Sequence, residues 1–119
     1  MRFTVEIRDG VLLVSLLADL TFDWFMEFDE QIRQALAPQV THGILDLSRA
    51  HHLDSSGLGV IARLHRDLKA RGGGLILAGV VPPIDNLLQM VGFHHHLRMY
   101  PTLEEALATL RLAPRTPQN

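Results

Sequence analysis

Apolar and polar residues change period several times along the chain, and each change predicts an element. Phe3, Val5 and Ile7 alternate with polar neighbours, Asp9-Gly10 follows, and Val11 to Leu17 is apolar on both faces. Asp-Gly between two such runs predicts a β-hairpin, because both turn residues tolerate positive φ. The second run reads as a central strand, covered on both sides. From residue 22 to 36 the period lengthens. Phe25, Phe28, Ile32, Ala35 and Leu36 recur at helical spacing between Glu27, Glu30, Gln31 and Arg33. Thr21 or Asp23 is placed to cap this helix, and Pro38 to end it. Trp24 and Met26 fall out of phase with Phe25 and Phe28, which leaves core packing and an exposed contact patch both open for them.

Gly43-Ile44-Leu45-Asp46-Leu47 predicts a short buried strand, followed by a polar loop from Ser48 to Asp54. Leu58, Ile61, Leu64 and Leu68 then form an apolar stripe with Arg63, Arg66 and Lys69 outside it, and Gly72-Gly73-Gly74 stops the helix. Leu75 to Gly79 is another buried strand. Strand, helix and strand at this spacing predict a βαβ unit with parallel strands. Pro82-Pro83 suits the first turn of a third helix carrying Ile84, Leu87, Leu88 and Val91, and Gly92 ends it. Leu97 to Tyr100 predicts a short edge strand, and Thr102-x-x-Glu105 is a capping box before a last amphipathic helix. The order ββαβαβα(β)α predicts an α/β fold: a mixed sheet of about four to five strands with about four helices packed on it. The expected domain covers residues 1–112, with a disordered tail over 113–119.

Composition narrows the function. Eleven Lys and Arg stand against 13 Asp and Glu in 119 residues, a formal charge of −2, so no basic excess exists to condense on nucleic acid. The absence of cysteine excludes disulfides, thiolate zinc sites and a cysteine nucleophile, and fits a reducing cytosol. No apolar run approaches the ~20 residues of a membrane span, and the opening residues alternate like a strand without the apolar core of a signal peptide. The expectation is a cytoplasmic protein without a membrane or nucleic-acid partner.

Asp54-Ser55-Ser56-Gly57-Leu58-Gly59 is the most informative stretch. It lies where a loop meets a helix N-terminus, whose first N–H groups are unpaired and whose dipole is positive. Hydroxyls placed there cap the helix, or carry a phosphate whose charge that terminus tolerates. Gly57 falls towards the core, which suggests close packing of helix on sheet. Residues 53–59 do not fit the Gly-x-Ser-x-Gly nucleophile elbow, and no Walker A loop occurs. His51-His52 and His94-His95-His96 lack the helical spacing of a metal site and read as exposed loop residues, so neither metal nor cofactor is expected.

Asp46-Leu47-Ser48, then Leu53-Asp54-Ser55-Ser56-Gly57-Leu58-Gly59-Val60, resembles the signature of the STAS domain, specifically the bacterial anti-sigma factor antagonist family. Val91-Gly92-Phe93 and Tyr100-Pro101-Thr102 leading into Glu105-Ala106-Leu107 extend the likeness over residues 42–112. The resemblance implies a small mixed sheet with helices and a binding protein rather than an enzyme. It implies an anti-sigma factor that is also a serine kinase as partner, whose capture frees a sigma factor. Phosphorylation of the signature's second serine, Ser56 rather than Ser55, ends that binding, and a PP2C-type phosphatase restores it. Asp54, Ser55, Ser56, Gly57 and Leu58 are the implied contact residues, with Leu53 beside them. The loop after the second strand commonly reads Gly-Glu-Leu-Asp in the family. Here it is Ala18-Asp19-Leu20-Thr21, so Thr21 stands at the acidic contact position, with Asp19 and Asp23 nearest to replace it. The competing expectation is a STAS scaffold without a phospho-switch, as in an ABC lipid-transport or stressosome-type assembly.

Overall fold

The computed structural model describes residues 2–112, so the expected tail over 113–119 lies outside the described residues. The hairpin forms as the pattern predicts: β1 (Phe3–Arg8) and β2 (Val11–Leu16) pair antiparallel around Asp9 and Gly10, which take φ of 55° and 79°. The other elements are α1 (Phe25–Ala35), β3 (His42–Asp46), α2 (Ser55–Ala70), β4 (Gly74–Ala78), α3 (Pro82–Met90), β5 (Arg98–Tyr100) and α4 (Leu103–Leu112). A 3₁₀ turn over Phe93–His95, which periodicity does not reveal, links α3 to β5. The five strands lie in the order β1-β2-β3-β4-β5, parallel from β2 onward.

Strand alternation sorts the core into two layers. Leu12, Val14, Leu45 and Leu77 face a large cluster with Phe28 and Ile32 of α1, Ile61 and Leu68 of α2, and Ile84 and Leu88 of α3. Leu13, Ile44 and Ile76 stand side by side in register on the opposite face, where Ala106 and Leu107 of α4 cover them. The central strands are therefore buried on both sides, which is why they read as continuous apolar runs.

The boundary of α1 departs from the expected cap. Trp24 is the N-cap and makes no side-chain capping bond. Thr21 instead donates its hydroxyl to Asp23 Oδ1, so the two candidate caps satisfy each other. The pair left open by phase also splits. Trp24 is buried at 5%, stacked on Phe3 with ring centroids 5.8 Å apart and edge-on to Phe28, whereas Met26 is 71% exposed. The out-of-phase reading of Trp24 is corrected: at 3.6 residues per turn Trp24, four positions before Phe28, falls on nearly the same face as Phe28, whereas Met26 falls on the opposite side. Among the described residues no helix is long and apolar enough to cross a membrane.

Candidate functional site

The parallel strands end at Asp46, Ala78 and Tyr100, and beyond that end two loops meet: residues 17–24 after β2 and 47–54 after β3. They are joined by a parallel bridge between Leu20, in the middle of the first, and Leu53, near the end of the second, with Asp54 N–H donating to Leu20 O at 3.4 Å. Leu20 and Leu53 are 0% and 1% exposed, so the bridge is anchored in the core.

Two aspartates stitch the loops reciprocally. Asp19, on the first loop, accepts at Oδ1 from the backbone N–H groups of His51 (2.8 Å) and His52 (3.2 Å) on the second. Asp54, on the second loop, accepts at Oδ2 from Phe22 N–H of the first at 2.8 Å. Its Oδ1 accepts from Gly57 N–H at 3.1 Å, so Asp54 is also the N-cap of α2. One carboxylate thus satisfies an orphan donor of the helix and fixes the neighbouring loop. Trp24 Nε1–H adds a further tie, donating to Asp19 O at 2.9 Å.

This geometry decides a question the sequence leaves open. Asp54 caps α2, and the serine hydroxyls do not. Ser55 is exposed and Ser56 half-buried in the first turn, with Leu58 half-buried just beyond. Gly57 is buried, but its close neighbour is a loop rather than the sheet: a Cβ there would lie 2.7 Å from Leu20 O. The expected helix-on-sheet approach is corrected accordingly.

One residue expected at a contact surface, Leu53, is corrected as well. Leu53 is a core side chain, and Asp19 spends a carboxylate oxygen on the second loop's backbone. Thr21 is half-buried and engaged with Asp23. Asp23 is exposed, and the Thr21 hydroxyl holds its carboxyl below the usual carboxylate range, helped by its own backbone N–H and by Arg2. Of the three loop residues, Asp23 is the one that presents a fixed negative charge to solvent. Phe22, which the reading of the sequence passed over, is 72% exposed and packs on Phe25 with ring centroids 5.5 Å apart. Its signal was its place between Thr21 and Asp23, outside any periodic run.

Polar groups spent on holding two loops, with spare hydroxyls and apolar side chains at the surface, define a protein-interaction module. The chain belongs to the STAS domain family, whose model matches residues 2–106. Over 116 residues it is 33% identical to the anti-sigma F factor antagonist of Paenibacillus polymyxa, covering 94% of this chain and 97% of that protein. The Bacillus cell fate determinant SpoIIAA in its phosphorylated form matches with a TM-score of 0.76 at 27% identity, over 92% of this chain and 99% of that one. Its unphosphorylated form, described as an anti-sigma factor antagonist, matches with a TM-score of 0.76 at 26% identity, over 92% and 97%. An anti-sigma-factor antagonist (STAS) domain protein of Planctomyces limnophilus shares the fold, with a TM-score of 0.82 at 20% identity over 91% and 96%.

Proposed function

We propose that this chain is a cytoplasmic anti-sigma factor antagonist, a binding module without catalysis of its own, switched by phosphorylation of Ser56. Its partner is an anti-sigma factor that also acts as the serine kinase, and a PP2C-type phosphatase reverses the modification. The observation that carries the proposal is the cap: because Asp54 serves α2, a phosphate on a first-turn serine costs the helix no capping bond. The similar protein SpoIIAA, known in phosphorylated and unphosphorylated forms, supports it.

The physical effect of the phosphate falls on docking rather than folding. It adds about −1.5 to −2 charges at a helix N-terminus, which tolerates an anion. The same charge lands beside Asp54, and Asp23 already presents a carboxylate on the joined loop. A partner that seats an acidic or apolar patch there meets both repulsion and desolvation cost. About 4 kcal/mol is enough to change affinity a thousandfold. Exposed Asp23 replaces the acidic residue that the family carries at the position of Thr21.

The test is phosphosite mapping on protein from its native cell, together with binding of the cognate anti-sigma factor to Ser56→Ala and Ser56→Asp. The expected result is phosphoserine at Ser56, full binding by Ser56→Ala and loss by Ser56→Asp. Equal binding by both variants and the parent overturns the switch. Phosphate found only on Ser55 moves it one residue.

A further inference from the structure

At the other end of the sheet, β5 pairs with β4 only at Ile76, Leu77 and Ala78, so Gly74 and Leu75 extend past the end of β5. The uncovered edge leaves a groove of about 290 Å³, walled by α2 on one side and by Thr109 and Leu110 of α4 on the other. His65 of α2 reaches the edge in place of a strand, and its Nδ1 accepts from Leu75 N–H at 3.2 Å. That bond leaves Nδ1 without a hydrogen, so the neutral ring carries its proton on Nε2, a remaining donor. Burial lowers the His65 pKa, and the positive fields of Lys69 and His96 lower it further.

The lining is one-sided in charge. His42, His65, Lys69, His96 and Arg98 line the groove, and no Asp or Glu does. An adjoining concavity adds Arg66 alongside His65, Lys69 and His96. The ion pairs among the described residues use Arg8, Arg33, Arg63 and Arg111, so Arg66, Lys69 and Arg98 have no carboxylate partner there. In a chain of formal charge −2 this is a local reversal of sign. Clefts lined by one sign of charge concentrate the opposite ion.

We infer that this groove binds a small polyphosphate anion of diphosphate size, free or attached to a carrier. Arg98 supplies a planar fork for phosphate oxygens, Lys69 a mobile point charge, and His65 a neutral donor at Nε2. Lys69 and Arg98 in the groove, with Arg66 in the adjoining concavity, offset much of the charge that two linked phosphate groups carry. The groove is formed from the far end of α2 and does not share residues with the Ser56 surface, so the inference stands or falls apart from the switch.

The test is titration of the isotope-labelled full chain with inorganic pyrophosphate, followed by amide and imidazole resonances at low salt. Expected are saturable shifts centred on His65, Lys69, Gly74, Leu75 and Arg98, with a Kd tighter than about 1 mM that weakens as salt rises. Lys69→Ala and Arg98→Ala, both changes at exposed side chains, each lose about tenfold in affinity. Arg33→Ala, on exposed α1, binds as the parent does. An ADP arm separates the sources: affinity equal to or weaker than that of pyrophosphate assigns a free anion, and tighter binding assigns a carrier. Absence of saturation, shifts centred on the first turn of α2, or a Lys69→Ala/Arg98→Ala double variant that binds like the parent overturns the assignment.

Discussion

The two ends of α2 are held by different means. At its N-terminus carboxylates hold the backbone: Asp54 caps the helix and holds Phe22 N–H, while Asp19 holds His51 and His52. At its C-terminus Gly72 takes φ of 91°, Gly73 donates to Leu68 O, Arg71 donates to Ala37 O and Val40 O, and Lys69 lines open space. The first end is a surface with its backbone locked and its hydroxyls spare. The second is a groove with its charges uncompensated. A helix dipole favours this division, since acidic groups suit its N-terminus and cations its C-terminus. One end thus spends its carboxylates on backbone N–H groups, whereas the other leaves basic side chains facing outward.

Glycine substitutions separate the two ends most sharply. A Cβ at Gly73 would sit 1.7 Å from Thr41 O, against 2.7 Å from Leu20 O at Gly57. Gly73→Ala is expected to lose about 3 kcal/mol or more in denaturant unfolding, and Gly57→Ala less, about 1–3 kcal/mol. An equal loss at both positions would mean that the loop around Leu20 is as unyielding as the loop around Thr41. Asp54→Ala comes next. It removes a cap and orphans Phe22 N–H, for an expected loss of about 2 kcal/mol and faster amide exchange at Phe22 and Gly57. Unchanged exchange would show that the stitched loops do not depend on this carboxylate.

Ser56→Ala should move stability by no more than about 0.5 kcal/mol, because the serine does not cap. A loss of several kcal/mol would show a hydroxyl with a structural role. The smallest effect belongs to His65 and is read as a slope with pH. Its folded pKa lies below the ordinary histidine value of about 6.5, so the unfolded chain binds the proton first as pH falls. Stability from the neutral ring is present above about pH 6.5 and declines as pH drops towards the folded pKa. A His65→Gln variant is expected to show a flatter dependence over that window, measured by urea midpoints at a series of pH values.

Particular residues show where the sequence was legible. Asp9-Gly10, Pro82-Pro83, Gly92 and Thr102 each marked an element boundary through its own backbone chemistry, and Thr102 Oγ1 does accept from Glu105 N–H at 3.1 Å. The first turn of α2 was legible as a site because signature and helix start coincide. The roles within it were not. Asp19, Leu53 and Asp23 look alike as contact candidates in a string, yet one is turned to the backbone, one is in the core and one faces solvent. Trp24 and Met26 part company because Trp24, four positions before Phe28, falls on the face that packs inward, while Met26, two positions on, points the opposite way.

Periodicity, turn residues and capping signals act within a few positions of each other, so the sequence alone determined the elements, their order and the helix start that bears Ser56. Which groups bind which was decided only in three dimensions. Asp54 meets Phe22 across 32 residues and Asp19 meets His52 across 33, and no local pattern encodes those encounters. The basic groove likewise exists because β5 begins opposite Ile76 and leaves two residues of β4 uncovered. Such contacts follow from how the strands are ordered and registered, and that follows from burying both faces of the sheet at once.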